Sequence, residues 1–181
     1  PAVDSAQKLE DLVAWPTNML AKIVRAFGGY LIALNLDEDG VLLPHALRWS
    51  QRAEPGALPA SWDYADPATG AGRIELTDAA GGPIIDGMIL GSRFIIYKQN
   101  ATHYMRFIGG QDVFSFDLLF NAGLLAPRCV TAFDKGRKHF VVTEDDIIIH
   151  GGTSDFESIL QDRVRVARVR GASKILKGLV A

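Results

Sequence analysis

Cysteine is almost missing from this chain: Cys129 is the only one in 181 residues. An intrachain disulfide is excluded, and so is a zinc site built on paired cysteines. Cys129 lies in the apolar run 129–133, which predicts a buried thiol. Uncharged apolar runs such as 88–90 and 147–149 fall far short of the roughly 20 residues a membrane-crossing helix needs. No basic stretch followed by an apolar one opens the sequence, so no secretory signal is expected. Catalytic signatures are missing too. There is no G-x-S-x-G elbow, no phosphate-binding G-x-x-x-x-G-K-[ST] loop and no H-E-x-x-H pair.

What is present is enough apolar residue for a core. The composition is 48% hydrophobic and 22% charged, which places the chain among folded globular proteins rather than disordered ones. Charge is distributed unevenly. Residues 1–158 carry 13 basic against 20 acidic side chains, a balance of −7, while residues 159–181 carry six basic residues against Asp162 alone, +5. An acidic body with a basic tail predicts that the tail docks on an acidic surface or a nucleic acid. In that tail Arg163, Arg165, Arg168 and Arg170 interleave with Val164, Val166 and Val169. Alternation there suits a strand, and the whole also suits a basic helix.

Turn residues punctuate the middle of the chain every five to eight positions, between runs rich in Ile, Phe and Tyr. That is the pattern of antiparallel β-meanders. Ser5 or Asp4 caps a short helix expected to run through residue 14, with Pro16 ending it. Strands are expected over 21–27, 30–36, 46–50 and 73–77; then over 88–90, 94–98, 104–108 and 113–120; then over 126–133, 138–143 and 147–150. Residues 156–160 read as a short strand or a helix start. Gly28-Gly29 suits a tight hairpin because both positions tolerate positive φ. Three stretches align as second strands of a repeated unit: GGYLIALNL (28–36), GSRFIIYKQ (91–99) and GRKHFVVTE (136–144). Their offsets of 63 and 45 residues bracket the length of a four-stranded propeller blade, the first stretched by a proline-rich insertion at 51–72. The expected fold is therefore mainly β: antiparallel meanders resembling part of a β-propeller, in about three blade-like modules. The expected division is an N-terminal helix or arm (1–20), a β-meander domain (21–160) and a basic C-terminal element (161–181). Three blades do not close a ring, so open sheet edges are expected to need partners.

Candidate chemistry is thin. If Glu144-Asp145 makes a two-residue hairpin loop, His139 and His150 face each other and, with Asp145 or Asp146, could hold a divalent ion. A plain surface histidine pair is the simpler reading. Asp86, Asp112 and Asp117 could be paired as glycosidase carboxylates, although solvated turns account for them. Asp37-Glu38-Asp39-Gly40 starts like a calcium loop without the later ligands, and reads as a turn. Trp49 and Trp62 flank or sit in the long insertion, where they either plug the rim of the core or meet a ligand. No catalytic residue, metal or cofactor is expected.

One resemblance organises these pieces. Arg48-Trp49-Ser50, Pro55-Gly56, Ser61-Trp62-Asp63, Asp86-Gly87, the run Phe94-Ile95-Ile96-Tyr97-Lys98 and Gly109-Gly110 are similar to stretches of a family of tailed-phage virion proteins from short-tailed phages and prophages. His139-Phe140-Val141-Val142-Thr143, Asp146-Ile147, His150-Gly151-Gly152 and Ser158-Ile159 continue the similarity into Arg163-Val164-Arg165, over roughly residues 22–166. The resemblance implies a non-enzymatic nozzle or tail-tube protein built around a β-propeller, located in the virion tail. It implies a homo-oligomer, commonly hexameric, beside portal and adaptor proteins, ringing a channel through which DNA passes, with no membrane contact. Family members are usually much longer than this sequence. An acidic wall suits that role, because passing phosphate does not stick to it. The four tail arginines, Trp49 and Trp62 are then assembly or interaction residues. The rival readings are a propeller-like module binding a cell-surface glycan through Trp49 or Trp62, and a hydrolase using loop carboxylates.

Overall fold

Turn chemistry defines the first hairpin. The structure, a computed structural model, describes residues 14–78, 81–110 and 112–160. Within it Gly28 and Gly29, at φ 58° and 88°, form the two-residue loop between β1 (Met19–Phe27) and β2 (Tyr30–Glu38), with Phe27 opposite Tyr30. Both left-handed positions fall on the residue type that adopts them without a Cβ clash. β2 continues into β3 (Val41–Trp49), and β4 (Gly72–Glu75) completes the sheet in the order β1-β2-β3-β4.

β3 begins five residues earlier than its sequence suggests, because Pro44 lies inside it. Proline has no N–H for the ladder and argues against a strand unless the ladder is irregular there. Here it is irregular: Leu34 pairs with Leu47 but Leu36 pairs with Leu43, and Asn35 takes φ 55° across from the extra residues.

The second sheet holds β5 (Ile84–Leu90), β6 (Arg93–Lys98), β7 (Thr102–Phe107) and β8 (Phe114–Phe120); the third holds β9 (Val130–Phe133), β10 (Lys138–Val142), β11 (Ile147–His150) and β12 (Phe156–Ser158). Every pairing is antiparallel and every neighbour is the next strand in the chain. The protein is thus mainly β, with three four-stranded antiparallel meanders that coincide with the three repeated modules. β5 starts four residues before the expected 88, since Asp86-Gly87 looks like a turn but sits in the strand beside a bulge at Ile85. Residues 156–158 form a strand rather than a helix start. The expected N-terminal helix and the basic C-terminal element both lie outside the described residues; Ala14 and Trp15 form a turn.

The chain forms two compact units, Pro1–Leu76 and Thr77–Ala181. In the first, Met19, Ala33, Leu36, Ala46 and Trp62 make a core on which Trp15, Val24 and Leu43 pack. In the second, Leu90, Ile95, Tyr97, Leu119 and Phe120 from one sheet meet Val130, Val141 and Ile148 from the other, with Leu124 between strands β8 and β9. The two sheets of this unit therefore share one core, in which Ile95 and Tyr97 on β6 meet Val141 on β10 and Ile148 on β11.

Candidate functional site

The β10–β11 hairpin takes the register its loop implies. Thr143 N–H donates to Asp146 O at 2.9 Å, leaving Glu144-Asp145 as the loop, and His139 stands opposite His150. Both imidazoles point inward, at 0% and 2% exposure, toward the facing sheet. Between them comes the hydroxyl of Tyr97 from β6, 2.7 Å from His139 Nδ1 and 2.7 Å from His150 Nε2.

The protons in this group follow by elimination. Ile89 O, 2.9 Å from His139 Nε2, can only accept, so His139 carries its hydrogen on Nε2 and offers a lone pair at Nδ1. Gly152 N–H, 3.2 Å from His150 Nδ1, can only donate, so His150 carries its hydrogen on Nε2. Tyr97 then donates to His139 and accepts from His150. The result is one directional chain from Gly152 N–H through His150, Tyr97 and His139 to Ile89 O, with every ring nitrogen satisfied while both histidines are neutral.

Burial favours those neutral forms. It lowers the pKa of His139 against the pull of its Ile89 hydrogen bond, and takes His150 down to about 4 with the neighbouring His139 adding to the shift. Burial, with the charge of Asp86 adding, also pushes the Tyr97 hydroxyl far above its usual range. Each neutral imidazole has one lone pair, and both lone pairs are already taken by hydrogen-bond donors. Among the described residues no three of His, Cys, Asp and Glu gather in a metal-binding arrangement. The group works as a pin between two sheets. Arg93 adds a second tie, donating to Gly152 O at 2.6 Å while lying over the Tyr104 ring.

A second buried polar group gathers Asp78, Lys98 and His103. Lys98 is fully buried and ion-paired with Asp78, whose Oδ1 is 3.3 Å from His103 Nε2. That nitrogen has no aligned hydrogen-bond partner. Burial lowers the pKa of His103, partly opposed by the charge of Asp78. Asp78 is raised by burial but lowered by more through its bond to Lys98 and other favourable contacts, so it stays a carboxylate. Lys98 is paired with the half-buried Asp78 carboxylate where it sits, which makes the group an internal ion pair rather than an exposed nucleophile.

The carboxylates considered for glycoside hydrolysis do not come together. Asp86 lies on β5 and Asp117 on β8, the two edges of one sheet. Three strand spacings separate them by about 14 Å, beyond the range of either glycosidase geometry. Asp86 is 1% exposed and accepts from Gly87 N–H at 2.7 Å and from Arg128 N–H at 3.0 Å. Asp112 and Asp117 are exposed. The 37–40 segment is the β2–β3 hairpin end, where Glu38 accepts from Arg48 and Arg73, each at 3.1 Å.

Trp49 and Trp62 lie in the interior of the first unit, at 8% and 4% exposure. Trp62 packs edge-on against Trp15, ring centroids 4.9 Å apart. Trp49 donates from Nε1 to Gly70 O at 3.1 Å and covers Gly72, where a Cβ would sit 2.0 Å from its ring. Neither ring has a free face for a sugar. The loop is held by Arg48, which donates twice to Trp62 O, at 2.6 and 3.0 Å, beneath the Tyr64 ring. Beside it, a depression of about 410 Å³ is lined by Gly29, Tyr30, Arg52, Pro55 and Leu58. Cys129 is half-buried and packs on the core of the second unit. Arg163, Arg165, Arg168 and Arg170 lie outside the described residues.

No family model matches the chain, and no curated protein matches it. Among the described residues no helix is long and apolar enough to cross a membrane.

Tyr97, Asp78, Lys98 and His103 were not singled out by sequence. Tyr97 has only its place in an apolar strand, and Asp78 lies 20 positions from Lys98, so only tertiary pairing reveals either group. A lysine closing the run Phe94-Ile95-Ile96-Tyr97 was the one available signal.

Proposed function

We propose that this chain is a structural, non-enzymatic component of a phage tail, of nozzle or tail-tube type, whose meanders serve as consecutive blades of a propeller-like wall around a DNA conduit. One observation carries the reading: three successive four-stranded meanders, each strand paired with the next, two of them stacked face to face. Blades of a propeller are sheets of this kind, arranged by radial repetition. The chemistry agrees with a wall. The strongly shifted groups, Tyr97 and His150, are fully engaged in hydrogen bonds. The −7 balance of residues 1–158 would let phosphate pass without binding.

On this reading the chain works in the virion as a homo-oligomer, a hexameric ring being the family's usual form, against portal and adaptor proteins. The basic tail docks on an acidic neighbour through Arg163, Arg165, Arg168 and Arg170. Native mass measurement of the full chain tests the reading. Assembly into rings, lost when these four arginines are reversed to glutamate, is the expected result; a chain that stays monomeric at every concentration overturns it. The glycan-binding reading is less well supported, because both tryptophans it would use are buried.

A further inference from the structure

The third sheet is apolar on both faces. Its central strands read Phe140-Val141-Val142 and Ile147-Ile148-Ile149, uninterrupted rather than alternating. A sheet with one face in water alternates; uninterrupted runs belong to sheets covered on both sides. The register separates the two faces. His139, Val141, Ile148 and His150 are the buried set that meets the facing sheet. Phe140 and Ile149, directly paired, and Val142 and Ile147, also paired, take the opposite face and are half-buried. Phe133, paired with Lys138, extends this outer patch onto β9 at 38% exposure. Glu157, paired with Ile149, bounds it on β12.

We infer that this outer face is the contact for a second copy of the same chain, stacked sheet on sheet about a two-fold axis lying in the interface. Two observations choose this occupant. The chain already packs this sheet by its inner face on another four-stranded meander, so a further sheet is the shape that fits the outer one. The patch is also self-complementary in charge. Lys138 and Glu157, both exposed, flank the apolar pairs on the same face. An in-plane two-fold axis midway between them sets each lysine over the partner copy's glutamate. An isologous contact satisfies both charges at once, whereas a uniformly acidic or basic partner would leave one opposed.

The face spans four strands of about four residues, roughly 19 by 13 Å, so alone it lies below the size of a standard interface. The dimer is therefore expected to be concentration-dependent. This inference rests on the assembly reading above for its functional meaning, but it has its own surface and its own test.

The test is analytical ultracentrifugation of the full chain from low to high micromolar concentration, with thermal unfolding as the check on folding. Wild type should show a monomer–dimer equilibrium, and Ile149→Lys should weaken it at least tenfold. Lys138→Glu and Glu157→Lys alone should each weaken it; combined in one chain they should restore it. These two positions are exposed, so their variants keep the fold even if Ile149→Lys does not. Self-association unchanged by Ile149→Lys and by both charge variants would overturn this inference and leave assembly through other surfaces standing. A wild-type chain that is monomeric throughout would overturn both.

Discussion

His139 and His150 face each other across β10 and β11 with ring centroids 5.5 Å apart, and a hydroxyl from another sheet reaches both of them. Tyr97 bonds both, so the pair that read as a plain surface pair is instead a buried anchor joining two meanders.

Removing the hydroxyl alone tests that role. Tyr97→Phe leaves His139 Nδ1 and His150 Nε2–H buried without partners, and each such group costs about 1–3 kcal/mol. Unfolding by denaturant should show a loss of about 2–4 kcal/mol with an unchanged slope. A loss near zero would show that the two sheets are not held together here.

The same group makes stability depend on pH. His150 titrates near 4 in the folded chain and near 6.5 when unfolded, and His139 is also lowered. Between those values the unfolded chain binds more protons. Stability is therefore complete above pH 6.5 and falls as pH drops toward 4, by up to about 1.4 kcal/mol per pH unit for each histidine. Buried His103 shifts in the same direction and adds to the slope. His150→Gln should flatten the denaturation midpoint against pH across that window; an equal slope in the variant would refute the assignment.

Arg128 occupies φ 68°, a left-handed conformation costly for a side chain other than glycine, and Asp86 holds its N–H. Arg128→Gly should raise stability by about 1 kcal/mol. Asp86→Ala should lower it by about 2 kcal/mol or more, since buried backbone donors lose a charged acceptor. Opposite signs in the two melting temperatures are the diagnostic.

Arg48 fixes the 51–71 loop by a fork to Trp62 O, which lysine cannot reproduce. Arg48→Lys should cost about 1–2 kcal/mol and expose the bond after Arg52 to trypsin. Resistance equal to wild type would move the loop's anchoring to Trp62 itself.

Much of the architecture was legible in the sequence because local rules govern meanders. Gly28-Gly29 defined a hairpin, Glu144-Asp145 set the register of His139 against His150, and repeated Gly-bounded apolar runs marked three sheets. Where local rules mislead, tertiary structure had overridden them. Pro44 and Asp86-Gly87 look like strand breakers, but one sits at an irregularity in the ladder and the other is satisfied by Arg128 N–H across 42 residues. The sequence by itself determined three antiparallel meanders, since strand period and turn residues act over a few positions. Only the tertiary structure decided that Tyr97 ties His139 to His150, that Lys98 finds Asp78, and that Trp49 and Trp62 turn inward. Those outcomes depend on which faces of separate strands are pressed together, and no spacing along the chain encodes that distance.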